Sequence, residues 1–112
     1  NKVFTIDDIR LFSYVADDFI NGMSTGSISV KFHNTLASII LEIGIMISYF
    51  YKTDIIVLSG GVFQNNYLFK KCFDILKRND FKVFTNFQVP INDGGISLGQ
   101  AFISLKKTNN LI

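Results

Sequence analysis

The segment IIVLSGGVFQNN, residues 55–66, joins a short apolar run to two glycines and to the start of a helical pattern. Its first four residues are branched and apolar, which favours a buried strand with a parallel partner. Gly60 and Gly61 end this strand, and apolar residues then recur at helical spacing from about residue 65 to residue 79. Residues 81–85 alternate weakly and predict a second strand. A strand, a helix and a strand in this order predict a parallel pair with a right-handed crossover.

Two helices are predicted before this unit. Residues 5–23 have apolar side chains at helical spacing, and Thr5 with Asp8 resembles a capping box at the start. A longer helix is predicted from about Ser27 to Tyr51. Its second half is almost entirely apolar, which is typical of a helix enclosed on several sides.

A last helix is predicted after the loop that Pro90 marks, from Gly94 or Gly95 to Lys107. The sequence therefore predicts an α/β fold in the order α-α-β-α-β-α. Because two strands are too few for a self-sufficient sheet, we expect this small parallel sheet to be incomplete.

The composition excludes several classes of protein. The chain has 112 residues and a mass of 12.7 kDa, with 48% apolar and 18% charged residues, so it is not a disordered tail. A net charge of +2 is too small to indicate binding to nucleic acid or to a membrane surface. A single cysteine and a single histidine exclude a disulfide framework, a multi-cysteine zinc site and a histidine-rich metal cage within this chain.

No targeting or membrane-spanning segment is predicted. The most apolar run, residues 36–51, extends over about 24 Å as a helix and contains Glu42, so it is too short for a bilayer core of about 30 Å. The first 20 residues carry four aspartates and lack the pattern of a signal peptide. We therefore expect a cytoplasmic protein. Because the first residue is Asn1 and not methionine, we also expect a piece of a longer chain.

The loop after the first predicted strand is the first candidate site. Glycines at 60 and 61 allow the backbone to come close to a ligand, and ligands of open α/β sheets lie at the carboxyl ends of strands. This pattern suits a nucleotide phosphate or ribose. The alternative is a plain tight turn in which Asn65 or Asn66 caps the following helix.

The segment VPINDGGISLGQ, residues 89–100, is the second candidate site. Asp93 follows the second predicted strand at the start of a helix, where its carboxylate either binds a metal ion or caps the N–H of Gly95 or Ile96. Gly95 and Gly99 share a helix face and permit close packing.

Three further residues have structural explanations. His33 lacks a second histidine or a carboxylate nearby in sequence, so a hydrogen-bonded structural histidine is favoured over a metal ligand. Cys72 lies on the apolar face of its helix and is interpreted as a small core residue rather than a nucleophile. Glu42 must find a partner or water.

Three segments together resemble the C-terminal motifs of the HypF family, the carbamoyltransferases of nickel–iron hydrogenase maturation. They are SGGVFQN (59–65), PINDGGISLGQ (90–100) and KFHNTLA (31–37). The resemblance extends from about Ile6 to Ser104. It implies that residues 1–112 are the C-terminal part of a carbamoyltransferase domain of the actin/Hsp70/sugar-kinase (ASKHA) type. That domain is related to the enzyme that makes threonylcarbamoyladenosine in tRNA.

The resemblance also implies an activity and its partners. HypF proteins use carbamoyl phosphate and ATP to make a carbamoyl adenylate, and they pass the carbamoyl group to the C-terminal cysteine of HypE. The product leads to the cyanide ligands of the hydrogenase. Carried over residue by residue, Gly60, Gly61 and Asn65 line the nucleotide site, Asp93 is a metal ligand, and Gly94 and Gly95 lie beside the nucleotide or carbamoyl group. The metal is zinc, iron or magnesium, and no general base is assigned.

One departure from the family pattern concerns activity. The HxxxH metal motif of the family lies upstream and is absent from this chain. We therefore expect the isolated chain to be inactive and to associate with itself through the face meant for the missing half. Whether the isolated chain binds any cofactor stays open, as do two alternative functions. These are a related carbamoyltransferase acting on tRNA or a small molecule, and a non-catalytic nucleotide-binding module.

Overall fold

The computed structural model describes residues 5–86 and 88–108. The elements in chain order are α1 (Asp8–Ile20), α2 (Thr25–Tyr51), β1 (Ile55–Leu58), a 3-10 turn (Gly61–Gln64), α3 (Asn66–Arg78), β2 (Lys82–Thr85) and α4 (Gly94–Thr108). The α/β class agrees with the prediction. The 3-10 turn between β1 and α3 was not predicted.

The sheet consists of β1 and β2 paired in parallel, as predicted, with Ile55 opposite Lys82 and Leu58 opposite Thr85. The prediction that β1 is a buried strand is wrong for two of its four residues. Leu58 is buried, whereas Ile55 and Val57 are 53% and 61% exposed. A continuous apolar run is typical of a strand that is covered on both faces of the sheet. In the described structure, α2 and α3 cover one face.

The core lies where α2 and α3 pack against the inner face of the sheet. Leu76 and Cys72 of α3 are fully buried there, and Ala37 of α2 and Val83 of β2 lie in the same cluster. The interpretation of Cys72 as a small core residue is therefore confirmed. The contact between α2 and α3 is the most extensive one between two elements of the described structure.

The starts of the first two helices differ from the prediction. α1 is capped by Asp7, whose Oδ1 accepts the N–H of Arg10 at 2.9 Å, so a capping box at Thr5 is wrong. Asp7 directly precedes the first turn, so its carboxylate reaches a free N–H of that turn, whereas Thr5 lies three positions before the helix. α2 begins at Thr25, two residues earlier than predicted, because the Ser24 hydroxyl accepts the N–H of Ser27 at 3.2 Å.

The helix α2 is less enclosed than its apolar sequence predicted, since Ala37 and Gly44 are its buried residues in the described structure. Glu42 is exposed, so water solvates its carboxylate. With 27 residues, α2 is long and apolar enough to cross a membrane by length and composition, a test that core helices of soluble proteins also pass. The apolar run at residues 36–51 is the second part of this helix, which also includes the more polar residues from Thr25 onward.

Burial raises the pKa of the Cys72 thiol. A raised pKa means that the folded chain disfavours the thiolate, so the unfolded chain loses its proton first. We expect the free energy of unfolding to be unaffected by this group below about pH 8.5 and to fall as the pH rises beyond that value. Chemical unfolding between neutral and alkaline pH checks this result. The free energy of unfolding of a Cys72→Val variant, which keeps an apolar side chain, is expected to fall less steeply with pH. Equal slopes for the variant and the wild type would contradict the prediction.

Candidate functional site

The two glycine-containing loops lie next to each other at one edge of the sheet. Because β1 and β2 are parallel, the loops that follow them leave the same edge. The N–H of Gly60 donates to the carbonyl oxygen of Ile91 at 2.8 Å and connects one loop to the other. We refer to residues 59–65 and 90–95 as the paired loops. The structure thus brings the two candidate segments together into one site.

Gly60 has a backbone conformation that residues with a Cβ rarely adopt. Its φ is 108° and its ψ is 155°, in a region that is essentially restricted to glycine. This conformation directs the Gly60 N–H toward Ile91. Gly61 has no comparable constraint, because a Cβ there would meet the Asn92 Cβ at an ordinary 3.8 Å.

The second loop is folded tightly onto the start of α4. The Oδ1 of Asn92 accepts the N–H of Gly94 at 3.0 Å. A Cβ at Gly95 would lie 2.8 Å from the carbonyl oxygen of Pro90, so any larger residue requires the backbone to shift. Glycine at position 95 therefore keeps Pro90 and the first turn of α4 in close contact.

Asp93 has an exposed side chain at the tip of this loop. The N–H of Gly95 donates to the backbone oxygen of Asn92 and that of Ile96 to the backbone oxygen of Asp93, each at 3.0 Å, so the Asp93 carboxylate makes neither of the predicted capping contacts. Within residues 5–86 and 88–108, the Asp93 carboxylate has no hydrogen bond or ion pair. The carboxylate is therefore accessible to a ligand.

The described residues do not form a complete metal site. They contain no group of three or more histidine, cysteine, aspartate or glutamate side chains that could hold an ion. Asp93 offers one oxygen ligand of a kind that divalent cations accept.

Asn65 connects the paired loops to α2 and α3, the two helices of the core. Its Oδ1 accepts the N–H of Leu68 at 3.1 Å, so Asn65 is the residue that caps α3. Its Nδ2 donates to the Nε2 of His33 in α2 at 2.8 Å. The interpretation of His33 as a hydrogen-bonded histidine is confirmed. Its contact with Asn65 was missed, since no sequence pattern links residues 32 positions apart.

The comparisons with known proteins first define a class. The profile of a carbamoyltransferase, Kae1-like domain, second subdomain, matches residues 1–100. This places the strand–helix–strand unit and its paired loops in a subdomain of a carbamoyltransferase-type protein. The chain belongs to the HypF family of carbamoyltransferases, as the three motifs had indicated.

Individual relatives agree with this assignment. The chain is 34% identical over 82 residues to the carbamoyltransferase HypF of Synechocystis sp., an alignment that covers 73% of this chain and 10% of the relative. It is 38% identical over 55 residues to carbamoyltransferase HypF2 of Cupriavidus necator, covering 49% of this chain and 7% of that protein. The chain thus spans about a tenth of the length of these relatives.

A solved structure also resembles this chain. It is a crystal structure of full-length HypF in the phosphate- and nucleotide-bound form, with a TM-score of 0.77 and 41% sequence identity. The match covers 83% of this chain and 12% of that one. The arrangement of helices and strands is therefore that of a HypF segment.

Proposed function

We propose that this chain is the C-terminal part of the carbamoyltransferase domain of a HypF-type enzyme, and that the paired loops bind its nucleotide. The hydrogen bond from Gly60 to Ile91 carries this proposal, because it joins both family motifs at the carboxyl edge of a parallel sheet. Ligands of open α/β sheets lie at this edge. The whole domain is proposed to have the ASKHA type of fold, and residues 1–112 to be its last part.

The nucleotide is proposed to be ATP. Gly60 and Gly61 allow its phosphates or ribose to approach the backbone, and Gly94 and Gly95 do the same from the second loop. Asn65 contributes a side-chain donor, since only one of its Nδ2–H groups is used by His33. These residues would bind and orient the nucleotide, and no general base is assigned among them.

A divalent metal ion, zinc, iron or magnesium, is proposed to take one ligand from Asp93. The accessible carboxylate fits such an ion, whereas the remaining ligands would come from parts of the parent protein outside this chain. When bound, the ion would supply Lewis-acid polarisation of a phosphate or carbamoyl oxygen.

The reaction proposed for the parent protein is transfer of a carbamoyl group from carbamoyl phosphate, through carbamoyl adenylate, to HypE. Carbamoyl phosphate and ATP give carbamoyl adenylate with release of phosphate and pyrophosphate. The thiolate of the C-terminal cysteine of HypE then attacks the carbamoyl carbon, a C–S bond forms, and AMP leaves. The product leads to the cyanide ligands of a nickel–iron hydrogenase. The parent is proposed to act in the cytoplasm, without a nucleic-acid or membrane partner.

The test of this function uses the intact parent protein with purified HypE, ATP and carbamoyl phosphate. We expect mass spectrometry to show the gain of one carbamoyl group on the terminal cysteine of HypE. The isolated 112-residue chain is expected to give no gain, because the HxxxH metal motif of the family is absent from it. Absence of a gain with the intact parent, when an active HypF control succeeds, would favour the related carbamoyltransferases that act on tRNA or on small molecules.

The isolated chain is also expected to associate with itself. A groove of about 370 Å³ between α2 and β1 is lined by apolar side chains, among them Ile40, Ile47 and Ile55. A contiguous apolar surface of this kind drives association when its natural cover is missing. Light scattering after gel filtration is expected to show dimers or larger species, and a monodisperse monomer would contradict this prediction.

A further inference from the structure

His33 lies in the middle of a chain of hydrogen bonds that ends at the start of α3. Its Nδ1 contacts the carbonyl oxygen of Ser29 at 2.7 Å, one turn earlier in α2. Its Nε2 contacts the Nδ2 of Asn65 at 2.8 Å, and the Oδ1 of Asn65 contacts the N–H of Leu68 at 3.1 Å. Four groups from two helices are thus connected in series.

The chemistry of the end groups fixes every donor and acceptor in this series. A backbone carbonyl can only accept, so the Nδ1 of His33 carries a proton and donates to Ser29. A backbone N–H can only donate, so the oxygen of the Asn65 amide faces Leu68 and its nitrogen faces His33. The neutral imidazole then accepts at Nε2, as the geometry requires.

The imidazole ring is held from both helices. Phe32 in α2 and Tyr67 in α3 contact it edge-on, with ring centroids at 5.8 Å in each case. The Tyr67 hydroxyl donates to the Oδ1 of Asn34 at 3.0 Å and keeps the two helices in register. The Nε2 acceptor therefore has a fixed position relative to Asn65.

We propose that His33 is a positioning residue for the nucleotide site, acting through Asn65. The N–H of Leu68 donates to the Oδ1 of Asn65 and holds the amide oxygen in place. The Nε2 of His33 accepts one of the two Nδ2–H groups of Asn65. Asn65 is exposed, and its second Nδ2–H has no acceptor within residues 5–86 and 88–108. It is presented in one orientation to an acceptor oxygen of the nucleotide. This inference rests on the proposed binding of ATP at the paired loops.

A double-mutant cycle in the intact parent protein tests the inference, with the dissociation constant of ATP measured by calorimetry. His33→Phe keeps the aromatic contacts and removes the acceptor. We expect it to weaken ATP binding about tenfold, as for the loss of one hydrogen bond. In an Asn65→Ala background the same substitution is expected to have no further effect, because the group that His33 positions is gone. His33→Gln, which restores an acceptor, is expected to recover most of the affinity.

The possible failures are distinguishable. If the wild-type parent does not bind ATP, the proposed function is wrong and this inference falls with it. If the wild type binds ATP but His33→Phe has no effect, or has an equal effect in both backgrounds, the function stands and the positioning role of His33 is refuted. A glutamine variant as weak as the phenylalanine variant would also refute that role.

Discussion

An Asp93→Asn substitution in the intact parent protein is expected to lower carbamoyl transfer to HypE by at least about 100-fold. Asp93 is the proposed metal ligand, and loss of such a ligand removes several kcal/mol of transition-state stabilisation, which corresponds to a factor of this size. The Asp93 carboxylate has no hydrogen bond or ion pair in the described part of the chain, so its removal leaves no partner unsatisfied. The thermal stability of the metal-free parent is therefore expected to stay unchanged. Rates of HypE carbamoylation, followed by mass, check the first expectation, and calorimetry checks the second.

Asp80→Asn is the matched control. Asp80 is also exposed, lies before β2 at the opposite edge of the sheet, and has a φ of 63°, which asparagine tolerates. The charge change is the same, so a general electrostatic effect would act on both variants. We expect the control to keep activity within about twofold, because an exposed charge far from the site contributes little there. Equal activity of the Asp93→Asn variant and the wild type would show that Asp93 is only a loop residue.

The parallel strand pair could be predicted because its signals are local. The branched run at 55–58 and the helix that follows it force a crossover between neighbouring strands. The exposure of Ile55 and Val57 could not be predicted in this way. An apolar run indicates that a strand is covered, but it does not indicate whether the residues that cover each face belong to these 112 residues. The start of α1 was missed because Thr5 and Asp7 are both good caps, and the choice depends on where the first turn forms.

The candidate residues could be selected from the sequence, but their connections could not. Gly60 and Asp93 were chosen from loop position and from the family motif. The contact of Gly60 with Ile91 required the two strands to be parallel and adjacent in register. The contact between His33 and Asn65 depends on how α2 packs on α3, and this packing is determined by many small core contacts rather than by any one motif.

A Gly60→Ala substitution is expected to weaken ATP binding by the intact parent at least about tenfold. An L-residue at φ 108° and ψ 155° costs about 1–3 kcal/mol, so the loop moves to a relaxed conformation. This movement breaks the hydrogen bond from Gly60 to Ile91, which contributes about 0.5–1.5 kcal/mol, and separates the paired loops. Calorimetric titration with ATP measures the loss of affinity, and thermal unfolding measures the accompanying loss of stability.

Gly22→Ala is the control for Gly60→Ala, because it introduces backbone strain of the same kind away from the candidate site. Gly22 has a φ of 78° in the turn between α1 and α2, and a Cβ at this position would meet no described atom within 4 Å. Alanine there is expected to cost about 1 kcal/mol of stability through the same kind of strain. Because this turn lies at the far end of α2 from β1, the affinity for ATP is expected to stay at the wild-type value. If both glycine variants lose stability but neither loses affinity, the paired loops do not bind the nucleotide, and the site must be sought elsewhere in the parent protein.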